Sequence, residues 1–448
     1  MPAHARHDHP GALSRRTLLG GFGAVAAALA ASPVLAACSG ASTSGGGEGS
    51  LGFLSSQFSP IEERQRFETI LKNAGVDAAF NPVTNSVFAS TLATQVDAGS
   101  VDISIAGGLH GDLAPLAAKL TDLDDLLSGD LAAAGYSADI LTLAKAGGST
   151  TKYIPWMQAT YVLAVNKKAL EWLPAGADVN KLTYEQFLDW AVAARQANGK
   201  PVFGLPAGPK GLSHRFFQGY LLPSFTGGQI TTFRSADAVT AWQYMRDLWA
   251  NMNPASTNYE YMQEPLARGE VLVAWDHVAR LVDAPKEKPD EWVMVPAPTG
   301  PKGLGYMLVV AGLSIPNGAP DAEGARKAII ALSKPEVQAE VLRQNAFFPV
   351  VAGELPTDLP PAIKLEADAV KAQQSSPDAL VSVPPVGVGE RDGEVSAAFG
   401  NAFREICLDG KDIAATLDAR GEDLNAILSE LKINCWAPDP VGEPCMVA

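Results

Sequence analysis

Cysteine is scarce in this chain: Cys38, Cys407, Cys435 and Cys445 are four among 448 residues. No two of them form C-x-x-C, which argues against dithiol redox and zinc chemistry. Basic charge is short as well. Lys and Arg total 34 against 49 Asp and Glu, a net charge of -15 with a pI near 4.9. That deficit excludes clustered phosphate contacts, so nucleic acid and anionic lipid are not expected as partners. No long run of one sign occurs, so the acidity is spread over a solvated surface. Beyond residue 50 no apolar run reaches the roughly 18 residues that span a bilayer. The motifs G-x-S-x-G, H-E-x-x-H and S-x-x-K with its companions are missing, and there is no internal repeat. His110, His214 and His277, the histidines beyond the N-terminal segment, are far apart in sequence. A hydrolase is therefore the less favoured alternative, and no metal or cofactor is called for.

What is present starts at the N-terminus. Residues 1–16 are polar and carry Arg6, Arg15 and Arg16 against Asp8. Leu18 to Leu35, "LLGGFGAVAAALAASPVL", has no charge. A charged segment, an apolar segment and small residues at its end make an export signal. "SRRTLL" (Ser14–Leu19) is a twin-arginine pattern. The alternative, a membrane-spanning anchor, is weakened by the Gly/Ala content and Pro33. Gly21-x-Gly23-x-x-Ala26 mimics a dinucleotide fingerprint, but no strand precedes it.

Leu35-Ala36-Ala37-Cys38 resembles the bacterial lipobox. The resemblance implies that Cys38 is acylated and becomes the first mature residue, with residues 1–37 removed and 38–50, "CSGASTSGGGEGS", a flexible tether. Acyl chains contribute about 0.8 kcal/mol per buried CH2, enough for two or three to hold stably. Removal takes away three Arg and one Asp (+2), leaving -15 − 2 = -17 on the mature side chains. Outside the membrane, the remaining three cysteines suggest one disulfide and one free thiol. Cys435 with Cys445 is one candidate pair; Cys407 with either is another.

With 47% hydrophobic residues the chain can bury a large core and divide into at least two domains. From Leu51 short apolar strands alternate with amphipathic helices. Strands are expected at 101–107, 160–166, 271–276, 292–298 and 307–316. Helix starts are expected at Ser59-Pro60-Ile61-Glu62, at Thr183 with Gln186, at Ser235, and at Ser333 with Glu336. Val239, Trp242, Met245 and Trp249 form a helical stripe that reads as core. Strands separated by helices imply α/β domains with mostly parallel sheets.

The order of segments is similar to that of family 1 extracellular solute-binding proteins. The resemblance rests on "FASTLATQVDAGSVDISIAGG", "YIPWMQATYVLAVNKKAL", "LTYEQFLDWAVAARQANGKPVFGLP", "LLPSFTGGQI", "PLARGEVLVAWDHV", "ALSKPEVQAEVLRQNAFFPVV" and "AFGNAFREICLDGKDIAATLDARGEDLNAIL". It runs in order from about residue 51 to 430. It implies a two-lobe periplasmic-binding-protein-like fold of the class II type, with a ligand cleft between lobes joined by crossing segments. Lobe 1 would take 51–155 and 306–375, lobe 2 would take 160–302 and 385–435, and 436–448 would be a Pro-rich tail. The implied role is a monomeric, lipid-anchored, non-enzymatic receptor at the outer face of the cell membrane. It would hand a small solute, of carbohydrate type, to ABC transporter permease subunits. A ligand sensor on the same fold is an alternative.

A sugar offers hydroxyls and apolar C–H faces, so its site needs aromatic planes and short polar groups. Trp156 and Gln158 lie at the first crossing, and Trp275, Asp276 and His277 end a strand. Trp156 reads equally as hinge packing. His110 follows a strand end, Gln57 follows the first strand, Phe217 precedes the Gly-Gly loop, and Tyr306 stands at the second crossing. The family's Gly-Pro-Trp is replaced here by Asp276-His277-Val278-Ala279. That departure favours a smaller or more polar solute, such as a mono- or disaccharide, a polyol phosphate or an amino compound. A phosphate would want a guanidinium, for which Arg215 and Arg391 are the candidates.

Overall fold

The computed structural model describes residues 50–58 and 61–448. Cys38, the export signal, most of the tether and the Ser59-Pro60 helix start lie outside the described residues. In chain order the strands are β1 (Leu51–Ser55), β2 (Ala78–Pro82), β3 (Ile105–Leu109), β4 (Ile154–Ala159), β5 (Tyr161–Asn166), β6 (Phe203–Gly204), β7 (Val273–His277), β8 (Trp292–Val295), β9 (Leu304–Met307), β10 (Val309–Ser314) and β11 (Ala379–Ser382).

They form two main sheets. The first has the order β2-β1-β3-β10-β4, the second β6-β7-β5-β8, and β11 pairs with β9 beside them. Pairing is not mostly parallel, as the sequence suggested. β1 is parallel to β2 and β3, but β10 runs antiparallel to both its neighbours. In the second sheet β5 opposes β7 and β8. The reason lies in the connections. β3 and β4 are joined through helices and run the same way, whereas β10 enters between them directly after β9, on the chain's return from the second sheet, and so opposes both.

Local signals in the sequence explain the helices. Thr183 caps the helix Tyr184–Asn198: Gln186 N donates to Thr183 Oγ1 at 3.1 Å, and Thr183 N donates to Gln186 Oε1 at 3.0 Å. Tyr184, Phe187, Trp190, Ala191 and Ala194 form its buried face, and Gly199 ends it at φ 67, where a side chain would be strained. Ser235 caps the helix Ala236–Trp249 by accepting from Ala238 N. Its stripe is core: Trp242 packs on Phe217 at 5.0 Å and Trp249 on Phe403 at 4.9 Å. The expected start at Ser333 is displaced by one residue. Lys334 takes the cap position, with Pro335 opening the helix Pro335–Asn345.

One expected lobe boundary also moves. The helix Pro361–Gln374, assigned from sequence to the first lobe, packs on β5 and β8 of the second sheet. Gln373 Oε1 accepts from Ala297 N at 3.1 Å, and its Nε2 donates to the Tyr161 carbonyl at 3.1 Å. Glu366, Val370 and Gln373, spaced four and seven along one face, are buried there.

The C-terminal segment is fastened to the second lobe. Cys435 and Cys445 are disulfide-bonded, and Cys407 is free. Asp439, 3% exposed, accepts from the amides of Gln229 (2.9 Å), Ile230 (3.0 Å) and Thr231 (2.8 Å). These three N–H groups follow the Gly227-Gly228 turn, so one carboxylate fixes that loop.

Candidate functional site

The two sheets are joined where β4 gives way to β5. Thr160 sits at this point, fully buried, and its hydroxyl reaches the Met307 carbonyl at 2.7 Å and Tyr220 Oη at 3.0 Å. Gln373 Nε2 also donates to Thr160 Oγ1, at 3.1 Å. Tyr161 N donates to Tyr220 Oη at 3.0 Å and Val278 N to the Thr160 carbonyl at 3.1 Å, so the backbone of this buried bend is paired as well.

A chain of rings runs outward from this point across both sheets. Trp275 stacks on Tyr161, with ring centroids 4.7 Å apart and planes 5° from parallel. Tyr161 meets His277 at 5.1 Å, and His277 meets Phe347 at 5.9 Å. Phe347 then contacts Phe58 at 5.4 Å, and Phe58 lies 6.3 Å from Trp156. His277 ends a strand of the second sheet, whereas Phe58 follows β1 of the first. The seam is therefore built by both lobes.

Burial separates the candidate residues. Trp156 and Trp275 are each 2% exposed, and Phe217 is fully enclosed by Trp242 and Phe403. Tyr306 is 5% exposed within β9. All four rings are packed in this conformation, which for Trp156 agrees with the hinge-packing alternative. Trp156 and Trp275 are at the same time the two ends of the ring chain that crosses the seam. Asp276 is also interior. Its carboxylate accepts from Met262 N at 2.9 Å and His277 N at 2.7 Å, and burial pushes its pKa up to about 6. It holds the loop that carries Met262. Arg391 is paired with Glu394 and with Glu430 (2.6 Å) in this conformation.

Other candidates remain near the seam. His277 is half-buried and accepts from Ala279 N on Nδ1 at 3.2 Å, leaving Nε2 to carry the proton. Burial holds its pKa down, to about 3, so the ring is a neutral donor. His110 is buried against Tyr153 Oη at 2.8 Å, with its pKa lowered by burial to about 4. Ser56 Oγ donates to Asp112 Oδ2 at 2.7 Å, and Gln57 Nε2 donates to the Ser56 carbonyl at 3.0 Å. Gln158 Nε2 donates to the Pro349 carbonyl at 2.8 Å, and its Oε1 accepts from Gln374 Nε2 at 3.2 Å. Arg215 pairs loosely with Asp392 at 3.4 Å.

Sequence reading missed Arg280. It lies one turn beyond His277, with its guanidinium 4.4 Å from the Tyr261 ring centroid and its Nη1 buried without a partner. Its charge reaches Glu63 of the first lobe and Asp276 and His277 of the second. The signal available was an arginine four residues after Asp276 in "DHVAR". Phe347, which with Phe348 precedes Pro349 and is a weaker candidate on that position alone, joins the seam through Phe58 and His277. Among the described residues no group of three or more His, Cys, Asp or Glu side chains could hold a metal ion. Neutral imidazoles, guanidinium groups, hydroxyls and rings equip this seam to bind a polar molecule.

Two α/β lobes meeting at such a seam define a two-lobed binding protein. The chain belongs to the bacterial extracellular solute-binding protein family, which it matches over residues 61–339. Members bind solutes outside the cytoplasm and work with ABC transporters. No curated protein sequence matches it. Its fold is similar to that of maltose-bound MalE3 from T. maritima, at 20% identity and TM-score 0.66, over 85% of this chain and all of the other. It is similar as well to the sugar-binding protein MalE of Xanthomonas citri, at 16% identity, TM-score 0.67 and coverage of 85% and 98%. UgpB of Mycobacterium tuberculosis, solved with glycerophosphocholine, is similar at 18% identity, TM-score 0.64 and coverage of 86% and 99%.

Proposed function

We propose that this protein captures a small solute, a sugar or sugar derivative, by closing its lobes, and delivers it to the permease of an ABC importer. One observation carries the reading: side chains of both sheets converge on the seam Tyr161–His277–Phe347–Phe58. A ligand touching both lobes favours the closed arrangement by its extra affinity for it. His277 Nε2, Ser56, Gln57 and Asp112 supply hydrogen bonds for hydroxyls, and Phe347 supplies an apolar face. The role is binding without catalysis, as a monomer. Cys38 carries the lipid, residues 1–37 are removed, and the protein works at the outer face of the cell membrane.

A second reading is favoured by Arg280, whose Nη1 is buried without a partner, and by the loosely paired Arg215. These suit a polyol phosphate or a zwitterionic amino compound. UgpB and its glycerophosphocholine are in keeping with that chemistry. A thermal-shift screen over neutral sugars, polyol phosphates and amino compounds separates the two. A true ligand at 100 times its Kd adds about 2.7 kcal/mol to stability. A shift confined to phosphates or amines selects the second reading. Silence from all three classes would overturn the receptor assignment and return attention to a sensor or a hydrolase.

A further inference from the structure

A groove of about 770 Å3 lies entirely on the second lobe. It runs between the first turn of the helix Tyr184–Asn198, one face of the helix Ala236–Trp249, and the turn Thr299-Gly300-Pro301. None of the seam residues lines it. Three rings form its apolar wall: Tyr184 meets Phe225 at 5.3 Å and Tyr244 at 5.1 Å, and Phe225 meets Tyr244 at 5.6 Å.

The walls are fixed in place. Thr299 is tied to the helix start, its amide donating to the Leu182 carbonyl at 2.8 Å and its carbonyl accepting from Tyr184 N at 3.1 Å. Gly300 lies so close to Ser224 that a Cβ would come within 2.4 Å of the Ser224 carbonyl oxygen. The groove is thus a built concavity rather than a gap between loose loops.

Its polar groups share one character. Tyr244 Oη and Thr299 Oγ1 are buried and have no hydrogen-bond partner. At the mouth stand two carboxylates, Glu185 and Asp247, and no lining residue is basic. The nearby Lys302 is engaged by Asp237 at 3.5 Å. Asp247 accepts only a neutral donor, Gln243 Nε2, at 3.1 Å. The orphan hydroxyls can accept or donate, but the unneutralised carboxylates can only accept, so the polar groups favour N–H donors with positive charge and the aromatic walls an apolar body.

We propose that this groove is a second ligand site, distinct from the interlobe seam, for a small organic ammonium cation with an apolar body. The ammonium group sits between Glu185 and Asp247, and the body lies against Tyr244, Phe225 and Leu188.

Calorimetric titration of the purified full chain with three matched probes tests this: 2-phenylethylammonium, 2-phenylethanol and 3-phenylpropionate. The expected result is saturable binding of the ammonium probe, at least tenfold tighter than the alcohol, with no binding of the carboxylate. The double variant Glu185→Gln/Asp247→Asn should lose that tenfold preference while keeping its unfolding midpoint. Thr240→Trp, which places an indole at the exposed mouth, should abolish binding of both. Equal binding of amine and alcohol would overturn the proposal, leaving an unspecific apolar hollow. So would binding that survives the double variant, which would place the probe elsewhere, or the absence of saturable binding. None of these outcomes touches the receptor reading, because solute binding at the seam is read separately.

Discussion

Asp276→Asn should change how stability depends on pH. The Asp276 carboxyl is wholly buried, and burial raises its pKa from the ordinary 3.8 to about 6 despite two backbone N–H donors at 2.7 and 2.9 Å. In the folded state it therefore keeps a proton that the unfolded chain has already released. Between pH 4 and 6 the folded state binds more protons than the unfolded state, so stability falls as pH rises. The contribution is complete below 3.8 and gone above about 6. At 1.36 kcal/mol per pH unit the loss amounts to about 3 kcal/mol. An asparagine cannot titrate, so this decline disappears in the variant. The variant has its own fixed cost of about 1–3 kcal/mol, since its amide NH2 faces one of the two N–H groups. Urea unfolding of both proteins at pH 4, 5, 6 and 7 separates the two effects, because other carboxylates cancel in the difference. The advantage of the wild type over the variant should fall by about 2–2.5 kcal/mol from pH 4 to pH 7, vanishing or reversing at the higher pH. A gap independent of pH would refute the assignment of Asp276 as a buried, protonated group.

Trp242→Ala removes a fully buried indole packed on Phe217 and should cost about 3–5 kcal/mol, read as a lowered urea midpoint. Asp439→Ala strips three loop amides of their acceptor, a loss of about 3 kcal/mol. It should also admit limited proteolysis near residues 227–232, and an unchanged cleavage rate would mean the loop is held by other contacts. Cys38→Ser should move the protein from the membrane fraction to the soluble fraction; retention on membranes would refute acylation at this residue.

The order of strands and helices, the Thr183–Gln186 cap and the aromatic stripe of the helix Ala236–Trp249 were all legible, because each depends on neighbours within a turn or two of chain. The direction of β10 was not, since it depends on which lobe the chain comes from. The candidate site was read less well, for the same reason. Trp156 and Trp275 have the chemistry of sugar-stacking rings, but only the assembled sheets show that they are buried. Arg280 looks like an ordinary helix arginine in sequence. It becomes notable when Tyr261 lies beneath it and Glu63 of the other lobe comes near. Residue type was informative about what a site of this kind needs, while orientation had to come from long-range packing.

The position of β10 between β3 and β4 bears on how the chain is made. Translation releases β1 to β4 first, yet the strand that joins β3 to β4 is not complete until Ser314. The first sheet must therefore wait, with two strand edges unpaired, while nearly the whole second sheet is synthesised. Those edges are the stretch most open to mispairing in the nascent protein. A polypeptide built in this way gains its first lobe late and nearly all at once. A chain broken off before residue 309 should therefore aggregate rather than yield a stable half.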